Sequence, residues 1–136
     1  MSRFTNRQVA EIFNQIADLS QINGEVVYAV LAYRKAADNI AELGRDINDV
    51  WQEGKLREIP GVGQAIADKI DELLSTGHMT FFDELTAKVP LSLVEVLQIP
   101  DVGPKKARAM WQESNLTTVA EVKDCLLYTS DAADDY

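Results

Sequence analysis

Cysteine is almost missing from the chain, with Cys125 the single one in 136 residues. One thiol closes no internal disulfide and supplies no clustered thiolates for a structural zinc site, so redox and zinc frameworks are excluded. Histidine is equally scarce. His78 follows a glycine at an expected helix end with no carboxylate-histidine set around it, and is read as a surface residue, not a metal ligand. The longest apolar run is the eight residues from Val26 to Tyr33, where a membrane span needs about 20. The amino terminus turns amphipathic without a continuous apolar stretch or a small-residue cleavage site, so no secretory leader is expected and the cytoplasm is the expected compartment. Positive charge is in short supply, with 13 Lys and Arg against 22 Asp and Glu, a net −9. Period-two alternation of β-branched residues is missing throughout, which leaves an all-α protein as the expected class.

What is present is enough apolar material, 46% of residues, to close a modest core in one domain or two very small ones. Thr5 and Gln8 have the spacing of a capping box. Val9, Ile12, Phe13, Ile16 and Leu19 then follow as a helical stripe that stops at Asn23 and Gly24. A second helix is expected from Glu25 to Leu43, more apolar at its start (Val26, Val27, Val30, Leu31) and amphipathic later. Asp46 caps a short third helix carrying Ile47, Val50 and Trp51, with Gly54 at its end. Thr80 to Asp83 reads as another helix start, with Phe81, Phe82 and Leu85 as core. Trp51 and Trp111 lie on apolar stripes and are read as core, not as stacking platforms. Adjacent acids such as Asp71 and Glu72, or Asp83 and Glu84, diverge by about 100° on a helix and make no catalytic pair.

The second half repeats itself. LREIPGVGQAIA at 56–67 aligns with VLQIPDVGPKKA at 96–107 at an offset of 40, with Ile59/Ile99, Pro60/Pro100, Val62/Val102, Gly63/Gly103 and Ala67/Ala107 identical. These are turn and packing positions. Each copy reads as a short helix, a proline-led turn with glycine where the backbone needs positive φ or close approach, and a helix from residue 64 or 104.

This Ile-Pro-Gly-Val-Gly pattern resembles the helix-hairpin-helix motif of nucleic-acid enzymes. Taken with AYRKAA at 32–37, IPGVGQAIADKIDELLSTG at 59–77 is similar to the amino-terminal lyase domain of family X DNA polymerases. IPDVGPKKA at 99–107 is similar to the second hairpin motif of the same enzymes, and GKLREIP at 54–60 looks closest to their bacterial and archaeal branch. The resemblance covers about residues 5 to 124. It implies DNA contacts by Gly61, Val62, Gly63, Gln64 and Ala65 in the first copy, and by Val102, Gly103, Lys105, Lys106 and Arg108 in the second, with Arg34 and Lys35 nearby. It also implies a monovalent cation, K+ or Na+, on the carbonyls of Arg57, Ile59 and Val62, and of Leu97, Ile99 and Val102. Lys69 matches the lysine that forms a Schiff base with an abasic sugar, and Tyr33 the tyrosine near it that orients the sugar. A lysine does such chemistry only when partly neutral, which Asp68 and Glu72 would oppose. Where the family sets further basic residues for a 5′-phosphate, this chain has Tyr28, Ala29 and Ala65, which weakens phosphate capture and leaves Arg34 and Lys35 to substitute in part. Asp101 replaces the first glycine of the second hairpin, bringing a carboxylate toward its phosphate site.

The expected organisation is a compact helical bundle: a lyase-like domain with the first hairpin at 1–77, a segment with the second hairpin at 78–124, and a foreign tail at 125–136. That tail, CLLYTSDAADDY, resembles a translated sequencing adapter; without it the remainder carries a net −6 and no cysteine. A natural gene cut off there would hide a polymerase palm and a phosphoesterase domain, to which alone Mg2+ and dNTPs would belong. The expected function is sequence-independent binding of gapped or nicked, 5′-phosphorylated DNA by the N-terminal fragment of a repair polymerase, a nucleoid-associated monomer without membrane contact. Two other readings are an active 5′-deoxyribose-phosphate lyase using Lys69 and a non-enzymatic scaffold for a protein partner. The DNA-binding assignment depends on residues 61–63 being open to a ligand.

Overall fold

The computed structural model describes residues 4–123 of the chain, and the foreign-looking string at 125–136 lies outside them. Seven α-helices carry the described fold: α1 Asn6–Ile22, α2 Val27–Ala41, α3 Ile47–Gln52, α4 Gln64–Thr76, α5 Thr80–Lys88, α6 Leu93–Val96 and α7 Pro104–Ser114. A single 3-10 turn, Leu56–Glu58, precedes the first hairpin, a last helical turn occupies 119–123, and no strand occurs among the described residues. The all-α expectation holds.

α1 begins at the capping box. The Gln8 N–H donates to the Thr5 hydroxyl at 3.1 Å and the Thr5 N–H to the Gln8 side chain at 2.9 Å, satisfying two donors that the first turn leaves open. Val9, Phe13, Ile16 and Leu19 are fully buried along one face. The helix stops as expected: Gly24 takes a φ of +81°, and the Glu25 N–H turns back to the Ser20 carbonyl at 2.9 Å. α2 packs back on α1 through Val30, Ala36, Ala37 and Ile40. It is shorter than the expected Glu25 to Leu43, and of its expected apolar start only Val30 is buried, while Leu31 is exposed. Val26 and Val27 are 67% and 68% exposed, and Tyr28 85%.

Asp46 caps α3 by accepting from the Asn48 N–H at 2.9 Å. The Asn6 side chain accepts from the Ile47 N–H at 2.8 Å and pins this turn to the start of α1. Half-buried Trp51 donates its indole N–H to Asp71 at 2.7 Å, tying α3 to α4. Trp111 is also half-buried and packs against the core. One cluster of buried side chains runs from Val9 through Ile70 and Leu93 to Val122, so the helices after residue 78 share a core with those before it. α5, α6 and α7 all touch α1. Phe81 and Phe82, expected in the core, are half-buried at its edge, while Leu85 is buried.

Candidate nucleic-acid interface

The two repeats fold into two nearly identical hairpins. The Ile59 N–H reaches the Leu56 carbonyl at 3.1 Å, as the Ile99 N–H reaches that of Val96 at 3.1 Å. The turn then closes from the Val62 N–H to the Ile59 carbonyl at 3.0 Å, and from Val102 to Ile99 at 3.1 Å. Proline occupies the second turn position and a left-handed residue the third, Gly61 at φ +82° and Asp101 at φ +70°. The residues before the helices match closely, Gly63 at φ −89°, ψ −173° and Gly103 at φ −92°, ψ 179°. The first intrahelical bonds run from Ala67 to Gly63 at 2.8 Å and from Ala107 to Gly103 at 2.9 Å.

Burial shows how each turn is held and what it leaves free. The side chains of Ile59, Val62 and Val102 are buried and fasten the turns to the core, so positions 62 and 102 offer a ligand only their main chain. Gly61, Gly63, Gln64 and Ala65 are exposed, as are Gly103, Lys105 and Lys106. No side chain caps α4 or α7. A β-carbon built on Gly63 or Gly103 would meet nothing within 4 Å. Each helix thus starts without a side-chain cap and with empty space where a side chain at Gly63 or Gly103 would stand, the partial positive charge of the helix behind it.

The copies differ in what surrounds them. α7 starts with Pro104, which removes one amide donor, and Asp101 puts a carboxylate on the turn. Lys105 and Lys106 lie exposed beside a cleft of about 610 Å³ between the start of α7 and the α1–α2 turn, where Gln21, Gly24 and Val27 form the other wall. The Arg108 guanidinium rests against Gly24, so close that a β-carbon there would collide with it. At the first hairpin the paired cations separate. Arg34 is held by Asp18 at 2.7 Å and Gln21 at 3.1 Å on α1, whereas the Lys35 stem lies along Gly61 beside Asn39. Asn39 was not legible as a site residue. Its only sequence signal is a spacing of four from Lys35 on the same helix.

Lys69 sits half-buried at the edge of the face made by Ile66, Ile70 and Leu73, as its helical position predicts. Its ammonium lies 4.7 Å from the centre of the Phe81 ring. Phe81 meets Tyr33 at 5.8 Å, and Tyr33 stacks on Phe13 at 6.3 Å. The two candidate catalytic residues are thus brought together through an aromatic ring that sequence reasoning had placed in the core. Asp68 and Glu72 are turned to other partners: Asp68 accepts from Gln64 at 2.7 Å, and Glu72 from the Thr80 N–H at 3.0 Å and from its hydroxyl at 2.5 Å. Burial, and secondarily the charge of Glu25, push the Tyr33 hydroxyl above its ordinary range, so it stays a neutral phenol at physiological pH. Among the described residues no cluster of three or more His, Cys, Asp or Glu could hold a metal ion, and no helix is long and apolar enough to cross a membrane.

Comparison with known proteins agrees with this geometry. The chain is 25% identical over 118 residues to the DNA polymerase/3′-5′ exonuclease PolX of Bacillus subtilis (strain 168), covering 87% of this chain and 20% of the relative. It is 26% identical to DNA polymerase lambda of Arabidopsis thaliana (82% of this chain, 21% of the relative) and 26% identical to DNA polymerase lambda of Rattus norvegicus (94% and 21%). These relatives are family X DNA polymerases, and the chain spans about a fifth of their length. The profile of the helix-hairpin-helix domain matches residues 4–79, more than half of the chain, and the chain belongs to that family.

Proposed function

We propose that the chain binds DNA through its sugar-phosphate backbone, without sequence preference, as the amino-terminal part of a family X repair polymerase. The carrying observation is the pair of matching hairpins with uncapped helix starts and open space in front of Gly63 and Gly103. Main-chain amides there suit phosphate oxygens, which carry no base information. The preferred target is a gap or nick with a 5′-phosphate, met on the downstream side by the first hairpin and on the primer side by the second. A K+ or Na+ ion on the hairpin carbonyls belongs to the same proposal. The Ile59 and Ile99 oxygens each already accept the turn N–H, so such an ion would share neutral carbonyls and need little charge from its ligands.

The direct test is to fill the space in front of the helix. Gly63 has backbone angles any residue can adopt and empty surroundings, so Gly63→Leu folds normally while its side chain blocks a phosphate. Titration of a 5′-phosphorylated gapped duplex by fluorescence anisotropy should show a loss of roughly tenfold or more, with Gly103→Leu costing less. Unchanged binding by both variants rules the hairpins out.

A second reading is favoured by the meeting of Lys69, Phe81 and Tyr33. As a lyase, the neutral Lys69 amine would attack the sugar aldehyde carbon and lose water to give an iminium. A water then takes the C2′ proton, the C3′–O3′ electrons leave with the phosphate oxygen so that the DNA keeps a 5′-phosphate, and hydrolysis of the remaining unsaturated iminium returns the Lys69 amine. In the resting chain the Lys69 nitrogen lies against the Phe81 ring, 4.7 Å from its centre, and would have to leave it to reach a sugar. Borohydride trapping on an incised abasic duplex should give an adduct that Lys69→Ala abolishes; with no such adduct in the wild-type chain, DNA binding stands without chemistry.

A further inference from the structure

Gly61 is crowded on one side only. A β-carbon built there would come within 3.1 Å of the Asn39 side-chain nitrogen, and within 3.1 and 3.5 Å of Cγ and Cδ of Lys35. Lys35 and Asn39 lie one turn apart on α2, so their side chains share a stripe, and the burial of Ala36, Ala37 and Ile40 beside that stripe fixes α2 against the core. Neither side chain has a hydrogen-bond or ion-pair partner among the described residues. A lysine stem and an amide nitrogen are therefore laid against the hairpin turn with their donors unused. The neighbouring Arg34, by contrast, spends its donors on Asp18 and Gln21. In the second hairpin the position equivalent to Gly61 is Asp101, so a side chain already stands where the first hairpin leaves room.

We propose that Lys35 and Asn39 of α2 form a side wall of the first hairpin's phosphate seat, gripping the same stretch of DNA backbone that the amides at 63–65 hold from in front. This rests on the reading that the first hairpin binds DNA. Glycine at 61 then serves two needs, a positive φ and room for the wall to reach the ligand. The wall supplies one cation and one neutral donor, so its two members act differently. Lys35 contributes to salt dependence as one counterion-releasing contact, and Asn39 contributes a hydrogen bond that salt does not screen.

The experiment measures binding of the 136-residue chain to a 5′-phosphorylated gapped duplex across a salt series, for wild type, Lys35→Met, Asn39→Asp and Gly63→Leu, with thermal melts as the folding control. Lys35→Met keeps the apolar stem on Gly61 and should lower the slope of log K against log salt by about 1. Asn39→Asp is isosteric but turns a carboxylate toward the phosphate, and should weaken binding at least roughly tenfold at low salt. If Gly63→Leu abolishes binding while either wall variant binds as wild type does, the shared wall is wrong and the hairpin reading survives. If Gly63→Leu also binds normally, both fall together.

Discussion

Asp101 is the residue whose backbone and side chain disagree. It occupies the left-handed position that Gly61 fills in the first hairpin, at φ +70°. Aspartate tolerates this region better than most residues, but glycine needs no tolerance. Asp101→Gly should therefore raise stability by about 0.5 kcal/mol or somewhat more, less what glycine's freer unfolded state gives back. The same change removes a carboxylate from in front of α7 and should strengthen binding to gapped DNA. A chemical-denaturation midpoint checks the first expectation and a DNA titration the second; a lower midpoint would mean that the Asp101 side chain stabilises the turn. The substitution of aspartate for glycine was visible in the aligned repeats. The partner of Arg108 was not, because no local pattern announces that α7 will lay its guanidinium on a glycine 84 positions earlier.

Among the elements, α4 and α5 are joined by a cap from the wrong side of the turn. Thr80 was expected to begin its helix, and it does stand first, but the acceptor for its N–H and hydroxyl is Glu72 on the preceding helix. These two hydrogen bonds, larger in effect than the nearby His78, hold the Glu72 carboxyl below the usual carboxylate range. A depressed folded pKa means stability that is present above the unfolded value, about 4.5, and is lost as pH falls through the folded one. Glu72→Gln should lower the melting temperature at pH 7, and the gap to wild type should close as the pH falls below the unfolded value and through the depressed folded one. A gap independent of pH would show that ionisation of Glu72 is not what caps α5. The same variant loosens the start of α5 and so the seat of Phe81 over Lys69. Helix spacing alone put Lys69 at the edge of the buried face. That its ammonium meets Phe81 depends on how α5 packs beside α4, a junction the Glu72 hydrogen bonds to Thr80 help to tie.

For the whole molecule, charge and site pull in opposite directions. A net −9 repels DNA at long range, whereas the proposed hairpin contacts would act on a phosphate only at short range. Three of the acidic residues, Asp131, Asp134 and Asp135, belong to the string at 125–136. A chain ending at Asp124 carries −6 and should bind gapped DNA more tightly at low salt, by a few-fold, with the advantage fading as the Debye length shrinks to about 10 Å near 0.1 M salt. Association rates in stopped flow at two ionic strengths separate this field effect from a direct contact, which would persist at high salt. The shared core from α1 to the turn at 119–123 joins the elements that carry the two hairpins, so under the proposed function a duplex held by both would have to fit their spacing.

The sequence by itself determined the helical class, the capping box at Thr5, the stop at Gly24 and both hairpins. Each of these is set by a few neighbouring residues whose backbone preferences and hydrogen bonds are local. Only the tertiary structure decided that Arg34 is tied to Asp18 while Lys35 lies on Gly61, that Val26, Val27 and Tyr28 stay outside the core, and that Asp68 and Glu72 are taken by Gln64 and Thr80. These outcomes depend on how helices far apart in the chain cross one another, and side-chain donors and charges take whichever partner that crossing brings within about 3 Å.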